Sequence, residues 1–419
     1  MNCSGLARGR RAVRLASVAL AGLTALAACG QSASSGPSGS VNIALNTSLS
    51  GSFGFIGLAN QNAMNLAVEQ ANASGGVMGK TISLQVKDDG GKADTGTELV
   101  RSEILNDKVV AVFGGVSSSV ALAEQTVIAK YKIPFMLHTS NTDKLTVQKF
   151  NDYTFSVVPN TGMEGRANAI AAAKLPYTRY YLMGPDYEFG HSQLTAFKTK
   201  LKALKPDVQF IGEDYPKLGA TDYSAYVSKI QAAKPEIVYS AQFAGDLITL
   251  LTQGKGVFGG PSAASRFMGL FDVDTLRNLG AAAPIGAYGY GRAPYFGVKN
   301  TAMTNFIKAY QARYNVPPSD WAVMAYDAFT LWVAGVKKAG TFDGTKVSSA
   351  MSGMTFDSTR GSLTVRALDH QVDCAEYEGV LAASATPGLD AFDPATLVAT
   401  AGKDIILTPE QVQAARSAG

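Results

Sequence analysis

Residues 109–141 read VVAVFGGVSSSVALAEQTVIAKYKIPFMLHTSN, and this stretch decides the fold. Residues 109–113 form a short apolar run rich in valine, suited to a strand buried on both faces. Gly114 and Gly115 then allow a tight turn where a side chain would obstruct the backbone. Ser117, Ser118 and Ser119 follow, just before the helical pattern Val120, Leu122, Ala123, Val127, Ile128. A serine at that point is a good N-cap, because the first helical N–H groups have no intrahelical partners. Hydroxyls, free N–H groups and the positive end of a helix dipole together suit a carboxylate or another small anion. A second strand over 133–137 ends in His138, Thr139, Ser140 and Asn141, another small polar cluster. In a parallel sheet both clusters lie at the carboxyl edge, where open α/β sheets bind ligands. The same residues also serve as caps and turns, and the pattern alone leaves both roles open.

Outward from that stretch, strand and helix alternate. Upstream, strands are expected over 41–45 and 81–86 and helices over 58–73 and 95–105, with Gly75 and Gly76 stopping the first helix. Downstream, a second series opens at 153–157. Strands follow near 180–183, 209–212, 237–240 and 267–270, with helices such as 192–204 and 223–233 between them. Strands separated by helices build βαβ units and parallel sheets. The expectation is an α/β protein of two lobes, with no obvious linker and therefore direct, hinge-like crossings. Asp88 and Asp89, at a strand end before two glycines, read as a solvated turn.

Residues 1–28 stand apart from that fold. Arg8, Arg10, Arg11 and Arg14 precede the apolar run LASVALAGLTALAA. That run is about 14 residues, short of the roughly 20 that span a bilayer as a helix. A secretory signal fits better. Leu26-Ala27-Ala28-Cys29 resembles the lipobox of bacterial lipoproteins, in which the cysteine becomes the lipidated N-terminus. Residues 29–40, rich in Gly and Ser, then read as a flexible tether. The whole chain is formally +4. The signal segment holds four arginines and no acid, so the mature chain is near neutral, with no basic excess to suggest nucleic acid. Cys3 leaves with the signal and Cys29 is taken by lipid, so Cys374 has no partner for an internal disulfide and reads as a buried apolar residue. About 390 residues remain, more than one ordinary core holds.

Several short motifs occur in a telling order. Leu49-Ser50-Gly51 with Gly57 comes first, then NASGGVMGK over 72–80, Lys87-Asp88-Asp89-Gly90, the Gly114 to Ser119 turn, Ile133-Pro134 and the stretch 140–146. Asp186-Tyr187-Glu188-Phe189-Gly190, Phe267-Met268-Gly269, Ala325-Tyr326-Asp327-Ala328 and 356–361 complete the set. Together they resemble the type I periplasmic binding proteins, the Leu/Ile/Val-binding family of ABC importer substrate-binding proteins. The likeness runs from Val41 to about Gly379.

The resemblance implies an α/β fold of two doubly wound parallel-sheet lobes joined by a three-crossover hinge, with ligand in the cleft. The first lobe is expected over 41–159 plus 292–365 and the second over 160–291 plus 366–419. Ligand bridging both lobes stabilises the closed form, and a transporter can read that difference. The resemblance also implies site residues. Ser117, Ser118 and Ser119 match the stretch that holds a ligand carboxylate; an ungapped alignment favours Ser118 and a one-residue slip favours Ser117. Thr139, Ser140 and Asn141 lie on the next strand, and Phe189 and Phe243 fall at aromatic positions over the ligand. Branched-chain binders place a glutamate two residues after Phe-Met-Gly to pair the ligand's ammonium. That position holds Phe271 here, with Asp272 beside it as a substitute whose side chain points elsewhere in an extended segment. The first-loop aromatic position holds Ile56, with Phe55 next to it. A buried ammonium without an anion is costly. The expected ligand is therefore a small carboxylate or amide, aromatic or branched, at least as much as a free α-amino acid.

The partners implied are an ABC permease and ATPase and, through the lipid on Cys29, the outer face of a bacterial cell membrane. The chain is expected to be a monomer without cofactor, metal or nucleic acid. An enzyme is not expected: His138, His191 and His370 lack metal-ligand spacing, and no Gly-x-Gly-x-x-Gly turn, Walker sequence or Gly-x-Ser-x-Gly elbow occurs where one is needed. The alternative from another class is a ligand-sensing module acting on a separate receptor or kinase.

Overall fold

Five strands pair, all parallel, in the first sheet of the computed structural model, which describes residues 39–258, 266–383 and 391–418. They are β1 (Ser40–Thr47), β2 (Thr81–Asp88), β3 (Val112–Gly114), β4 (Phe135–Leu137) and β5 (Thr154–Ser156), in the order β2-β1-β3-β4-β5. β3, β4 and β5 are buried at every residue, which is why β3 and β4 read as apolar runs without alternation. The segment expected to open the second series instead closes the first sheet: β5 pairs with β4, and Phe135 N donates to Tyr153 O at 2.7 Å. Helices α1 (Gly54–Ala73), α2 (Ala93–Leu105) and α3 (Ser118–Tyr131) connect these strands. The signal segment, Cys29 and nearly all of the tether lie outside the described residues.

The second sheet is built from β6 (Arg179–Met183), β7 (Gln209–Asp214), β8 (Ile237–Ser240), β9 (Phe267–Leu270) and β10 (Tyr288–Gly291), parallel in the order β10-β9-β8-β6-β7. Helices α4 (Thr161–Ala173), α5 (Glu188–Leu204), α6 (Ser224–Ala233) and α7 (Ala244–Gln253) accompany it. After β11 (Thr355–Ser358) and β12 (Gly361–Thr364), a hairpin, the chain adds an antiparallel edge to the second sheet. There β13 (Glu376–Ala382) pairs with β10, and β14 (Ala391–Phe392) and β15 (Val398–Thr400) pair with β13. The motif-poor C-terminal segment thus supplies strands that the parallel expectation did not contain.

The chain passes between the sheets after β5, after β10 and after β12. On its return from β10 it forms the helices Thr301–Tyr314 and Asp320–Ala339, which pack on α1. Tyr326 donates to Gln70 Oε1 at 2.6 Å across that contact. Buried Asp327 explains two of the sequence motifs at once. Its carboxylate accepts from Thr359 N and Oγ1, both at 2.8 Å, and from Arg360 Nε at 2.8 Å. Arg360 Nη2 in turn donates to Val157 O at 2.6 Å, fastening the hairpin beside the first crossing. Cys374 is fully buried. Among the described residues, no helix is long and apolar enough to cross a membrane.

Candidate functional site

The two polar clusters form one surface. Ser117 is the N-cap of α3, in extended backbone and without a side-chain cap bond. Ser118 Oγ accepts from Thr142 N at 3.3 Å, and Ser140 N donates to Gly115 O at 2.9 Å. Ser140 Oγ is buried with no hydrogen-bond partner among the described residues. Two of the expected residues turn away and a third is already engaged. Ser119, about 100° further round the helix, is exposed on its outer face. Thr139 alternates with Ser140, so its hydroxyl turns to His138 Nδ1 at 3.0 Å and Asn60 Oδ1 at 3.4 Å. Asn141 Nδ2 is occupied by Pro159 O at 2.8 Å, beside the first crossing.

Aromatic rings from both lobes meet across the cleft. Phe189, in the first turn of α5, lies edge-to-face on Phe243 at 5.2 Å between centroids. Phe53, from the loop before α1, stacks on the same Phe243 at 5.3 Å and 11°. The loop comes this close because α7 carries Gly245, where a Cβ would lie 3.2 Å from Ser52 Cα. Phe53 is thus the first-loop ring that stacks across the lobes. Ile56, placed there by alignment, is buried within α1, and Phe55 packs against the core. Leu49-Ser50-Gly51 was the available signal, with Phe53 two residues beyond the glycine.

Phe271 and Asp272 do not reach the cleft. Phe267, Gly269 and Phe271 share one face of the β9 segment, so the Phe271 ring packs in the second lobe's own core, 6.2 Å from Phe267. Asp272 caps the helix Val273–Leu279: Oδ1 accepts from Asp274 N at 2.9 Å and Thr275 N at 3.2 Å, and Oδ2 from Thr275 Oγ1 at 2.6 Å. A different acid, Asp246, sits in the first turn of α7, three residues after Phe243. Its Oδ2 accepts from Gly219 N at 3.0 Å, while Oδ1 has no partner among the described residues. Burial pushes its carboxyl up to about 6.

The floor is a buried cation that no local motif announces. Arg292 follows β10 and is 3% exposed. Its Nε donates to Glu164 Oε1 and its Nη1 to Thr139 O at 2.8 Å. The guanidinium lies 5.7 Å from the Phe189 centroid and 5.1 Å from that of Trp321. At the rim, Thr142 donates to Glu188 Oε1 at 3.0 Å, Lys144 Nζ pairs with Glu188 Oε2 at 2.7 Å and Ser192 donates to Asp143 Oδ1 at 2.9 Å. With Phe53 on Phe243, these contacts hold the lobes closed.

Beneath the Gly114-Gly115 turn, Asn46 Nδ2 faces Glu103 Oε2 at 3.1 Å and Glu124 Oε1 at 3.4 Å. Ser48 donates to Asp89 Oδ1 at 2.6 Å. Asp89 is therefore buried rather than a solvated turn residue; only Asp88 is exposed. Burial pushes the Glu103 carboxyl up to about 7 and that of Glu124 well above its ordinary range. Burial likewise pushes the His138 ring down to about 3, so it is neutral at physiological pH. Among the described residues, no group of three or more His, Cys, Asp or Glu could hold a metal ion.

Two hinged α/β lobes closed over polar strand ends and a helix N-terminus define a solute-binding protein. Residues 40–377 match the periplasmic binding protein family, and the chain belongs to it, in the type I branch of Leu/Ile/Val-binding proteins. The leucine-, isoleucine-, valine-, threonine- and alanine-binding protein of Pseudomonas aeruginosa is 23% identical over 299 residues, 71% of this chain and 78% of that protein. An amino acid ABC transporter substrate-binding protein from Pseudomonas fluorescens superposes with a TM-score of 0.78 at 25% identity, covering 91% of this chain and 99% of that one. A solute-binding protein of an ABC transporter from R. palustris, in complex with benzoate, gives 0.77 at 22%, covering 86% and 97%. The family consists of extracytoplasmic binding proteins rather than enzymes.

Proposed function

We propose that this chain captures a small carboxylate with a ring-sized or branched apolar body and delivers it to an ABC importer, held at the membrane by lipid on Cys29. The observation that carries this reading is the meeting of Phe53, Phe189 and Phe243 between the lobes, with Phe189 on the Arg292 guanidinium that donates to Thr139 O at the polar strand end. The free N–H groups of α3, with Ser117, Ser118 and Ser140, suit the carboxylate. The rings suit an apolar body. Amine-free ligands are favoured because Phe271 is turned into the core and Asp272 is occupied as a cap. The benzoate held by the R. palustris neighbour is a ligand of this kind. Asp246 favours a second reading, a free α-amino acid with its ammonium on the unpartnered Oδ1, in keeping with the P. aeruginosa relative.

A thermal-shift series with benzoate, 4-hydroxybenzoate, benzamide, isoleucine and leucine tests both readings. A ligand at a hundred times its Kd stabilises the native state by about 2.7 kcal/mol. Shifts with benzoate but not isoleucine support the first reading. Shifts with isoleucine alone, abolished in Asp246→Asn, support the second. No shift with any carboxylate overturns the anion cradle.

A further inference from the structure

A cavity of about 200 Å³ opens on the second lobe, between the C-terminal end of α4 and strands β9, β10 and β13. It lies toward the start of β9 and β10, whereas the cleft lies beyond their ends, so the two are separate. Leu175, Met268, Tyr288 and Val380 give it an apolar wall, and Lys174 and Glu378 are its charged groups. Glu378 is 6% exposed. Its Oε2 accepts from Thr400 Oγ1 at 2.9 Å, and its Oε1 has no partner among the described residues.

We propose that this cavity is a second ligand site, for a small amine whose ammonium pairs with Glu378 and whose ring or branched body lies on Leu175, Met268, Tyr288 and Val380. The size is right for one ring, since an apolar cavity of about 150 Å³ encloses benzene. The chemistry follows from Glu378. A buried carboxylate with an unused oxygen is costly, and an ammonium beside it supplies both charge and donors. Burial pushes this carboxyl up to about 8, so at neutral pH it is largely protonated until a cation arrives. Tyr288 adds an aromatic face of the kind that attracts a cation. Lys174, just past the end of α4, is exposed, and water and salt screen its opposition. An anionic ligand brings no donor to Glu378 Oε1 and leaves that oxygen unused.

Benzylamine, the charge-inverted counterpart of benzoate, is the probe. It is titrated calorimetrically into the purified protein at pH 7, in phosphate and in MOPS, with benzyl alcohol in parallel and with benzoate added. The expected result is saturable binding that excess benzoate leaves unchanged, with heats differing between buffers because Glu378 releases a proton. Glu378→Gln keeps the shape and the Thr400 contact and should weaken benzylamine about tenfold or more. If that variant does not fold, Val398→Lys replaces it. Val398 is 50% exposed on an edge strand and lines the cavity, so a second cation there should weaken benzylamine without touching the core. No benzylamine heat, competition by benzoate, benzyl alcohol binding as tightly as benzylamine, or unchanged affinity in the variants each overturns the proposal. None of these outcomes depends on what the cleft binds.

Discussion

Arg292 shows how a buried charge is tolerated at the cleft floor. Glu164 pairs with it, Thr139 O accepts from it, and Phe189 and Trp321 cover its faces. Breaking such a pair strands the partner, which is worse than never having built it. Arg292→Met should therefore cost roughly 3 to 5 kcal/mol in urea unfolding. A loss under 1 kcal/mol would mean that Glu164 finds water or a proton instead. The carboxyls under the cradle behave differently. The Glu103 carboxyl is raised from an ordinary 4.5 to about 7, so its stabilising contribution is complete below pH 4.5 and lost as pH rises to 7. Glu103→Gln should flatten that fall, making the variant less pH-sensitive and the more stable protein at pH 8, by up to about 3 kcal/mol. Melting temperatures of both proteins from pH 4.5 to 8.5 check this, and parallel curves would remove Glu103 from the account.

At the scale of elements, the N-terminus of α3 divides its serines by direction. Ser118 faces Thr142 and Ser119 faces solvent, one residue apart. Ser118→Ala should weaken benzoate about tenfold, the worth of one hydrogen bond to a charged group, while Ser119→Ala leaves affinity unchanged. Equal effects in a titration would mean that neither hydroxyl touches the ligand. The helix Val273–Leu279 gives the complementary case. Asp272→Ala removes both its cap bonds and should lower stability by about 1 kcal/mol, with no change in ligand affinity. A drop in isoleucine affinity in that variant would return Asp272 to the binding site.

At the scale of the molecule, the proposed function rests on a balance between open and closed lobes. The closed form is held at the rim by Glu188 with Thr142 and Lys144, and across the cleft by Phe53 on Phe243. Lys144 is half exposed, so its ion pair is worth at most about 1 kcal/mol. The ring contact matters more, since stacking adds about 0.5 to 1.5 kcal/mol beyond the area it buries. Phe53→Ala should expand the unliganded protein in small-angle scattering and weaken the ligand more than Glu188→Ala does. A radius of gyration identical to that of the parent would mean that the rings do not hold the lobes.

The sequence by itself determined the alternation of strand and helix, the burial of β3 and β4, the turn at Gly114-Gly115 and the polar strand ends. These are local matters: a run of valines, a pair of glycines and a serine before a helical period each state their structure within a few residues. Tertiary structure decided which side chains share the cleft. Phe53 and Phe243 are far apart in the chain, and nothing near either predicts their stack. The face of β9 that carries Phe271 is the core side because Leu276 and Phe392, distant in the chain, gather there with Phe267. Asp272 and Asn141 were taken by a cap and a hinge carbonyl, and Arg292 was drawn to Glu164, because a buried polar group is held by whichever partner the fold brings within bonding distance.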